Sequence, residues 1–254
     1  LILGKGFLGK KFAEHFKGRS VLSERKIESE KDINEEIKKY CPKWAINCIG
    51  KTGRPNVDWC EEHKEETVFS NVVIPIWIAQ SCKENGIKML HIGSGCIYEG
   101  DSGGEGFSEE AQPNFSGSFY SRTKEISETA LKPFNVLQIR IRMPFDSVPS
   151  DRNLLSKLLG YKKVLVERNS ITIVDDMLKA AESLMEKELT GIFNVVNTGS
   201  VTHREILSMY EDLTGKDLGK EYIDAAALDR MTKARRSNCV ISNKKLESVG
   251  IKMP

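Results

Sequence analysis

The chain contains 254 residues, of which 39% are apolar and 29% are charged, and its net charge at pH 7 is +2. This length suffices for one large α/β domain, or for a main domain with a small companion. The near-neutral charge gives no indication of the basic surface typical of nucleic-acid binding, and no apolar run reaches the roughly 18–20 residues of a membrane span. The apolar opening is too short, and too soon followed by lysines, to be a signal peptide. We therefore expect neither nucleic acid nor a membrane as a partner.

The six cysteines are scattered along the chain, without a CxxC pair or the Cys and His spacing of a metal site. A chain of this size can build a full apolar core and does not depend on disulfides. We therefore expect free thiols, a cytoplasmic location and no bound metal.

Short β-branched runs alternate with amphipathic stretches over the first two thirds of the chain, which predicts a parallel sheet covered by helices. There, strands are predicted over 1–3, 20–23, 44–49, 88–92 and 136–141, and helices over 9–17, 68–85 and 118–131. Gly86 and Pro133 are the predicted stops of the last two helices. The regular alternation of strands and helices changes after Pro144. There, helices are predicted over 153–161, 175–187 and 202–213, and strands over 163–166 and 192–196. Segment 99–107 is predicted to be a loop.

A glycine pattern follows the first predicted strand directly. Gly4, Gly6 and Gly9, with Phe7 and Leu8 between them, fit GxGxxG and lead into the first helix. Such glycines allow a tight turn and a close approach of the backbone to a diphosphate, and the helix N-terminus favours the anion. The alternative is a glycine-rich turn without a ligand. In this strand–turn–helix context the pattern predicts a dinucleotide-binding Rossmann fold with a doubly wound parallel sheet.

The residues after the second predicted strand bear on the choice between NAD and NADP. A guanidinium can hold a 2′-phosphate with two hydrogen bonds, so Arg25 favours NADP. The carboxylate of Glu24 favours NAD instead, because it could bind a ribose 2′-hydroxyl. A solvated run of charges without either role is a third interpretation. We expect NADP.

The change of rhythm after Pro144 divides the predicted chain into two parts. Residues 1–144 are predicted to form the NADP-binding Rossmann core. Residues 145–254 are predicted to form mainly a small C-terminal substrate-binding cap, with some elements returning to the core.

Three side chains predict a centre for proton transfer. Tyr120 and Lys124 are four residues apart on a predicted helix and therefore share one face. A tyrosine has a pKa of about 10 in water, and a neighbouring ammonium would lower it. Ser94 ends the strand before that helix, at the edge of the sheet where ligands of open α/β folds bind. A tyrosine acid and a serine hydroxyl suit the reduction of a carbonyl, whereas the tyrosine and lysine alone could equally lie on a surface helix.

These motifs, in this order, resemble the extended short-chain dehydrogenase/reductases. The segments 50–61, 95–99 and 113–120 resemble, more narrowly, the bifunctional UDP-4-keto-6-deoxy-D-glucose 3,5-epimerase/4-reductases that complete UDP-L-rhamnose synthesis. The resemblance extends through 140–144 and 236–238, so it covers nearly the whole chain. It implies NADPH as the cofactor and a UDP-linked 4-keto-6-deoxy sugar as the substrate, with Ser94, Tyr120 and Lys124 as the reductase triad.

The resemblance also implies an epimerase centre. Cys96 lies two residues after Ser94, where the more distantly similar GDP-fucose synthases have an epimerising cysteine. A thiolate could remove the C3 or C5 proton, which the C4 ketone acidifies, and a second group would reprotonate the opposite face. Lys157 is the candidate for this second group. The alternatives are a buried core cysteine and a solvated helix lysine.

The remaining candidate residues come from the same resemblance. Asn153 and Arg236 match positions that hold the nucleotide diphosphate, and Thr52, Gly53 and Arg54 are expected to line the substrate pocket. A guanidinium suits a diphosphate because it can form paired hydrogen bonds.

Asn71 matches an asparagine that orders the active-site backbone beside the cofactor; the alternative is a side chain that satisfies a buried turn. A homodimer is expected by analogy with the superfamily. Two other functions stay open: a 4-reductase without epimerase activity, as in the dTDP-4-dehydrorhamnose reductases, and a non-catalytic, nucleotide-binding regulatory subunit.

Overall fold

A parallel sheet forms the centre of the protein. In the computed structural model, which describes residues 1–254, the strands are β1 (Ile2–Leu3), β2 (Trp44–Asn47), β3 (Lys88–Ser94), β4 (Leu137–Ile141), β5 (Pro144–Phe145), β6 (Lys163–Leu165), β7 (Arg168–Asn169), β8 (Thr172–Ile173), β9 (Gly191–Asn194), β10 (Val201–Thr202) and β11 (Glu221–Ile223). Five of them form the central sheet in the order β1-β2-β3-β4-β9, and every neighbouring pair is parallel. The other six strands pair two by two outside it.

Helices connect the strands of this sheet. They are α1 (Phe7–His15), α2 (Glu30–Tyr40), α3 (Asp58–Glu62), α4 (Lys64–Val68), α5 (Ile74–Glu84), α6 (Phe119–Leu131), α7 (Leu154–Gly160), α8 (Val174–Glu186), α9 (His203–Thr214), α10 (Ala225–Asp229) and α11 (Lys244–Ser248). A π-helical segment joins α4 to α5, and a short 3-10 turn follows α6. None of the helices combines the length and the apolar character that a membrane-spanning helix needs.

Helices cover both faces of the sheet because successive strand residues point to opposite sides. Ile46 packs in a core cluster of 21 buried residues with Phe12 of α1 and Met177 of α8. The neighbouring Ala45 belongs to a second cluster of 13 residues on the other face, with Ile78 of α5. The predicted α/β fold with a doubly wound parallel sheet is therefore confirmed.

The segment predicted as a second strand, 20–23, is not a strand. Only Leu22 bridges β1, at Ile2, and the chain then turns away. The Ser23 hydroxyl stabilises this turn, because it donates to Glu36 of α2 at 2.6 Å and accepts from the Arg25 backbone N–H at 3.1 Å.

Two helical segments show what the periodicity did not predict. Helix α2 was not predicted, although Ser29 and Asp32 form a capping box at its start. The predicted helix over 68–85 begins earlier, at Lys64, and contains the π-helical segment Phe69–Val73. Pro75 explains the wide turn, because it lacks the N–H that would complete a regular α-helical bond to residue 71.

Residues of the C-terminal part pack in two separate apolar clusters. Helices α7 and α9 pack with β6 around a small cluster that includes Leu158, Val164 and Leu207. Ile251 and Met253 instead return to the main core beneath the sheet. The division of the chain at residue 144 stays a prediction.

Candidate active site

A cavity of about 580 Å³ lies at the carboxyl ends of the central strands, between the Rossmann part and the small cluster of α7, α9 and β6. Residues far apart in the sequence converge on it. Those that the sequence predicted as site residues are Gly6, Phe7, Leu8, Thr52, Asn71, Ser94, Cys96, Tyr120, Lys124, Lys157 and Arg236. Six further predicted site residues do not line it: Gly4, Gly9, Arg25, Gly53, Arg54 and Asn153.

The three glycines of the loop before α1 have different surroundings. Gly4 has a φ of +101°, and a Cβ on it would lie 2.7 Å from the Ile49 nitrogen. A Cβ on Gly9 would lie 1.8 Å from the Gly4 carbonyl oxygen. Around Gly6, by contrast, a Cβ would meet nothing within 4 Å, and no side chain caps the helix that starts at Phe7. Two glycines therefore build the turn, and the third leaves open space at free helical N–H groups, which fits a dinucleotide diphosphate.

Both charges that bear on the NAD or NADP choice already have partners. Arg25 donates to Asp32 at 3.1 Å and to Glu35 at 2.5 Å, and both acceptors belong to α2. Glu24 pairs with Lys5 at 2.6 Å. A 2′-phosphate at Arg25 would share the guanidinium with carboxylates, so the NADP preference of Arg25 stays a prediction.

The predicted reductase triad is assembled at the cavity wall. Burial and the charge of Cys96 raise the pKa of Tyr120, and a hydrogen bond from Ser94 opposes them. The Lys124 ammonium donates to the Ile92 carbonyl at 2.8 Å, and burial lowers its pKa to about 8. Burial of the phenol therefore outweighs the neighbouring groups that lower the pKa of Tyr120, and stabilisation of the phenolate by Lys124 stays a prediction. A phenol that keeps its proton suits an acid in the reducing direction.

Asn71 ties two walls of the site together. Its side-chain oxygen accepts from the Lys51 N–H at 2.7 Å, and its amide donates to the Lys51 carbonyl at 3.0 Å. The same amide donates to the Thr123 hydroxyl on α6 at 3.1 Å. The π-helical turn that contains Asn71 thus fixes the loop after β2 against the helix that carries Tyr120 and Lys124.

Cys96 faces a cation that the sequence did not identify as a site residue. The Cys96 backbone N–H donates to the Ser94 hydroxyl at 3.1 Å, which forms a tight turn. Arg142 Nη1 donates to the Cys96 sulfur at 2.8 Å. Arg142 follows β4 and is buried, but no local pattern in the sequence distinguishes it from Arg140, two residues earlier.

The cap side of the cavity carries several cations. Burial and the neighbouring charge of Arg152 lower the pKa of Lys157, which lies on α7. Arg236 donates to Asp58 at 2.9 Å, and Arg152 donates to the Thr52 hydroxyl at 2.9 Å. Arg152 was also not predicted, and neither was Arg235, which lines the same wall.

Three predicted substrate-binding residues lie outside this wall. The Asn153 side chain caps α7 and donates to the Asp146 and Val148 carbonyls at 2.7 and 3.1 Å, so its polar atoms are already occupied. Gly53 presents only its carbonyl, which accepts from Arg152 at 2.8 Å. Arg54 is exposed and does not reach the cavity.

The chain is similar to known proteins over its whole length. The model of the family "RmlD substrate binding domain" matches residues 1–254. A bifunctional dTDP-4-dehydrorhamnose 3,5-epimerase/dTDP-4-dehydrorhamnose reductase of Arabidopsis thaliana is 39% identical over 88% of this chain and 76% of the relative. Three trifunctional UDP-glucose 4,6-dehydratase/epimerase/reductases of that plant are 38–40% identical, and the chain spans only about a third of their length.

Solved structures share the fold. The UDP-rhamnose synthase of Acanthamoeba polyphaga mimivirus superposes with a TM-score of 0.93 at 30% identity, over 99% of this chain and 94% of the other. The dTDP-4-dehydrorhamnose reductase of Bacillus anthracis, in complex with NADP, superposes with a TM-score of 0.85 at 19% identity, over 100% of this chain and 92% of the other. At 19% identity the second likeness concerns the fold alone.

Proposed function

Because the chain belongs to the RmlD substrate binding domain family, we propose that it converts UDP-4-keto-6-deoxy-D-glucose to UDP-L-rhamnose with NADPH. The reaction would consist of epimerisation at C3 and C5 followed by reduction at C4. The observation that carries the proposal is the position of Cys96, which lines the same cavity as Ser94 and Tyr120. One sugar bound there could meet both a thiol base and a phenol acid.

The loop before α1 and the triad support the reductive half. The open space at Gly6 and the free N–H groups of the first turn of α1 would hold the cofactor diphosphate. NADPH, when bound, supplies a hydride to C4. Ser94 would orient the C4 oxygen by a hydrogen bond, and Tyr120 would transfer its phenolic proton to that oxygen, so the ketone becomes an alcohol. Lys124, charged below pH 8, would stabilise the phenolate left behind.

Cys96 and Lys157 support the epimerising half. The Cys96 thiolate would accept the proton from C3 or C5 and become a thiol, and the electron pair would move to the C4 oxygen as an enolate. Ser94 and Tyr120 would stabilise that oxygen by hydrogen bonds. The Lys157 ammonium would then return a proton to the opposite face and become a neutral amine. The lowered pKa of Lys157 favours this transfer.

The cations of the cap support a nucleotide diphosphate beside the sugar. Arg236 and Arg152 line the cavity, and a guanidinium can bind phosphate oxygens with two hydrogen bonds. Each now pairs with a group of the 50–58 segment, Asp58 or Thr52, that a bound nucleotide could replace. The choice of UDP over dTDP follows the mimivirus relative, which is a UDP-rhamnose synthase.

The test is an incubation of the protein with UDP-4-keto-6-deoxy-D-glucose in deuterium oxide, with and without NADPH, followed by proton NMR. We expect deuterium at C3 and C5 in both samples, and UDP-rhamnose only with NADPH. Reduction without deuterium uptake would reduce the function to that of a plain 4-reductase. If neither signal develops, the substrate is wrong or the protein is a binding module.

A further inference from the structure

The Arg142 guanidinium is buried without a carboxylate. Only 2% of the residue is exposed, and no Asp or Glu oxygen lies within 4.0 Å of its nitrogens. Its partners are the Cys96 sulfur at 2.8 Å, the Ser237 hydroxyl and carbonyl at 3.4 and 3.1 Å, and the Asn169 side-chain oxygen. Apart from the thiol, these partners are neutral at every physiological pH.

A buried guanidinium keeps its proton and therefore requires a counter-charge. The groups around it that can become anions are Cys96, Cys239 and Tyr120, and Lys124 adds a second positive charge near Cys96. Burial raises the pKa of Cys239, whose sulfur points at the Gly95 carbonyl, 3.2 Å away. Burial likewise raises the pKa of Tyr120. Cys96 is the only one of the three that contacts the guanidinium directly.

The packing fixes this contact. A Cβ on Gly95 would lie 2.8 Å from Arg142 Cδ, so the arginine stem lies directly beneath the turn that carries Ser94 and Cys96. From the other side, Asn169 is fully buried and also accepts from the Cys239 N–H at 3.0 Å. The guanidinium is thus held between the turn and the C-terminal segment, with one edge toward the sulfur.

From this geometry we propose that Arg142 is a positioning residue that holds Cys96 as a thiolate facing the cavity. The proposal rests on the epimerase function proposed above. The thiolate accepts the sugar proton and becomes a thiol, and it returns that proton to solvent before the next turnover. Arg142 neither gives nor takes a proton; it stabilises the anionic form of its neighbour.

The test is the pH profile of Cys96 alkylation by iodoacetamide, without substrate, followed by peptide mass spectrometry. In the unaltered protein we expect fast alkylation at pH 7 that rises little at higher pH. In Arg142→Met the alkylation rate at pH 7 should fall roughly tenfold or more, because an adjacent positive charge lowers the pKa of an acid by about one or more. Arg142→Lys should keep most of the rate, since it keeps the charge. Arg122→Met is the control, because Arg122 lies outside the cavity, is half-exposed and has Glu61 as its partner.

A profile with the midpoint of an ordinary thiol in the unaltered protein, near pH 8.5, overturns the proposal without any variant. An unchanged profile in a folded Arg142→Met also overturns it.

Deuterium exchange separates this inference from the proposed function. If the unaltered protein exchanges no deuterium into the sugar, the epimerase function fails while the alkylation result still decides the state of Cys96. If the protein and Arg142→Met exchange at equal rates, the function stands and the role of Arg142 is wrong. We expect exchange to fall at least tenfold in Arg142→Met, as the alkylation rate does. NADPH oxidation with the epimerised substrate, UDP-4-keto-L-rhamnose, should change far less.

Discussion

Arg140 and Arg142 are two residues apart at the carboxyl end of the fourth strand, and both are almost completely buried. Arg140 forms a two-pronged ion pair with Glu128 of α6, at 2.7 and 2.8 Å, and stacks 5.3 Å over the Tyr98 ring. Arg142 has no carboxylate and meets the sulfur of Cys96 instead. Two identical side chains at nearly the same depth therefore differ in one respect: a carboxylate neutralises the charge of Arg140, and none neutralises that of Arg142.

This difference indicates a structural role for Arg140 and a role in the chemistry of the site for Arg142. The charge of Arg140 is neutralised within the fold, so its environment has no need of a ligand or of an ionised thiol. The charge of Arg142 is left for a group that faces the cavity. Buried charges without a carboxylate or ammonium partner are concentrated at functional sites, because a fold rarely leaves a buried charge unbalanced elsewhere.

Removing the partner of Arg140 is the strongest way to test its structural role. We expect Glu128→Ala to lower the free energy of unfolding by about 3–5 kcal/mol, since it leaves a buried guanidinium uncompensated. Urea denaturation followed by circular dichroism measures this. The control is Glu110→Ala, because the Glu110 side chain is 73% exposed and its loss should change stability by less than about 0.5 kcal/mol. A loss below about 1 kcal/mol in Glu128→Ala would mean that water or another acid balances Arg140.

Removing the partner of Arg142 tests the chemical role. In Cys96→Ser we expect deuterium exchange at C3 and C5 to fall at least roughly a hundredfold, because the hydroxyl is a far weaker acid than the thiol. NADPH oxidation with UDP-4-keto-L-rhamnose should persist, because Ser94, Tyr120 and Lys124 are unchanged. Cys41→Ser, at an exposed thiol, is the control. Exchange that survives in Cys96→Ser would return Cys96 to a packing role.

The comparison also marks what could be predicted from the sequence. Local patterns located Gly6, Tyr120 and Lys124, which all line the cavity, because the spacing of residues within one turn sets their positions. Arg142 could not be found this way, because it acts on a residue 46 positions earlier and is held by one 95 positions later. Asn153 was assigned to the nucleotide diphosphate by the family resemblance, but local capping of α7 takes up its side chain. Most of the sheet was predictable from apolar runs, whereas segment 20–23 pairs with β1 only at a single bridge, at Leu22.

Lys124 is a third buried cation at the site, and unlike Arg140 and Arg142 it can lose its charge within an accessible pH range. Burial lowers the pKa of Lys124 to about 8, so its ammonium is present below that pH and is lost above it. Arg142 stays charged throughout. We therefore expect the rate of NADPH oxidation at saturating substrate to fall about tenfold per pH unit above pH 8. Deuterium exchange should instead fall only where Lys157 loses its proton, because Lys157 and not Lys124 returns the proton to the sugar. If the two reactions had the same pH profile, loss of the Lys124 charge would not act on the reduction alone, and the prediction would be wrong. Stopped-flow absorbance and NMR exchange, from pH 6 to 10, supply both curves.

Gly9 and Gly6 differ in the same way, since one has a structural role and the other a proposed role in binding the cofactor. Gly9 is required by packing, because a Cβ there would lie 1.8 Å from a carbonyl oxygen, whereas Gly6 borders open space. We expect Gly6→Ala to leave the free energy of unfolding within about 0.5 kcal/mol of the original, since its Cβ meets nothing. The Kd for NADPH should rise by about tenfold, or ~1.4 kcal/mol, because the methyl group would occupy space needed by the diphosphate. Gly9→Ala should instead destabilise the fold. Titration calorimetry that finds unaltered NADPH affinity in Gly6→Ala would place the diphosphate away from this glycine, and the open space there would then belong to the turn alone.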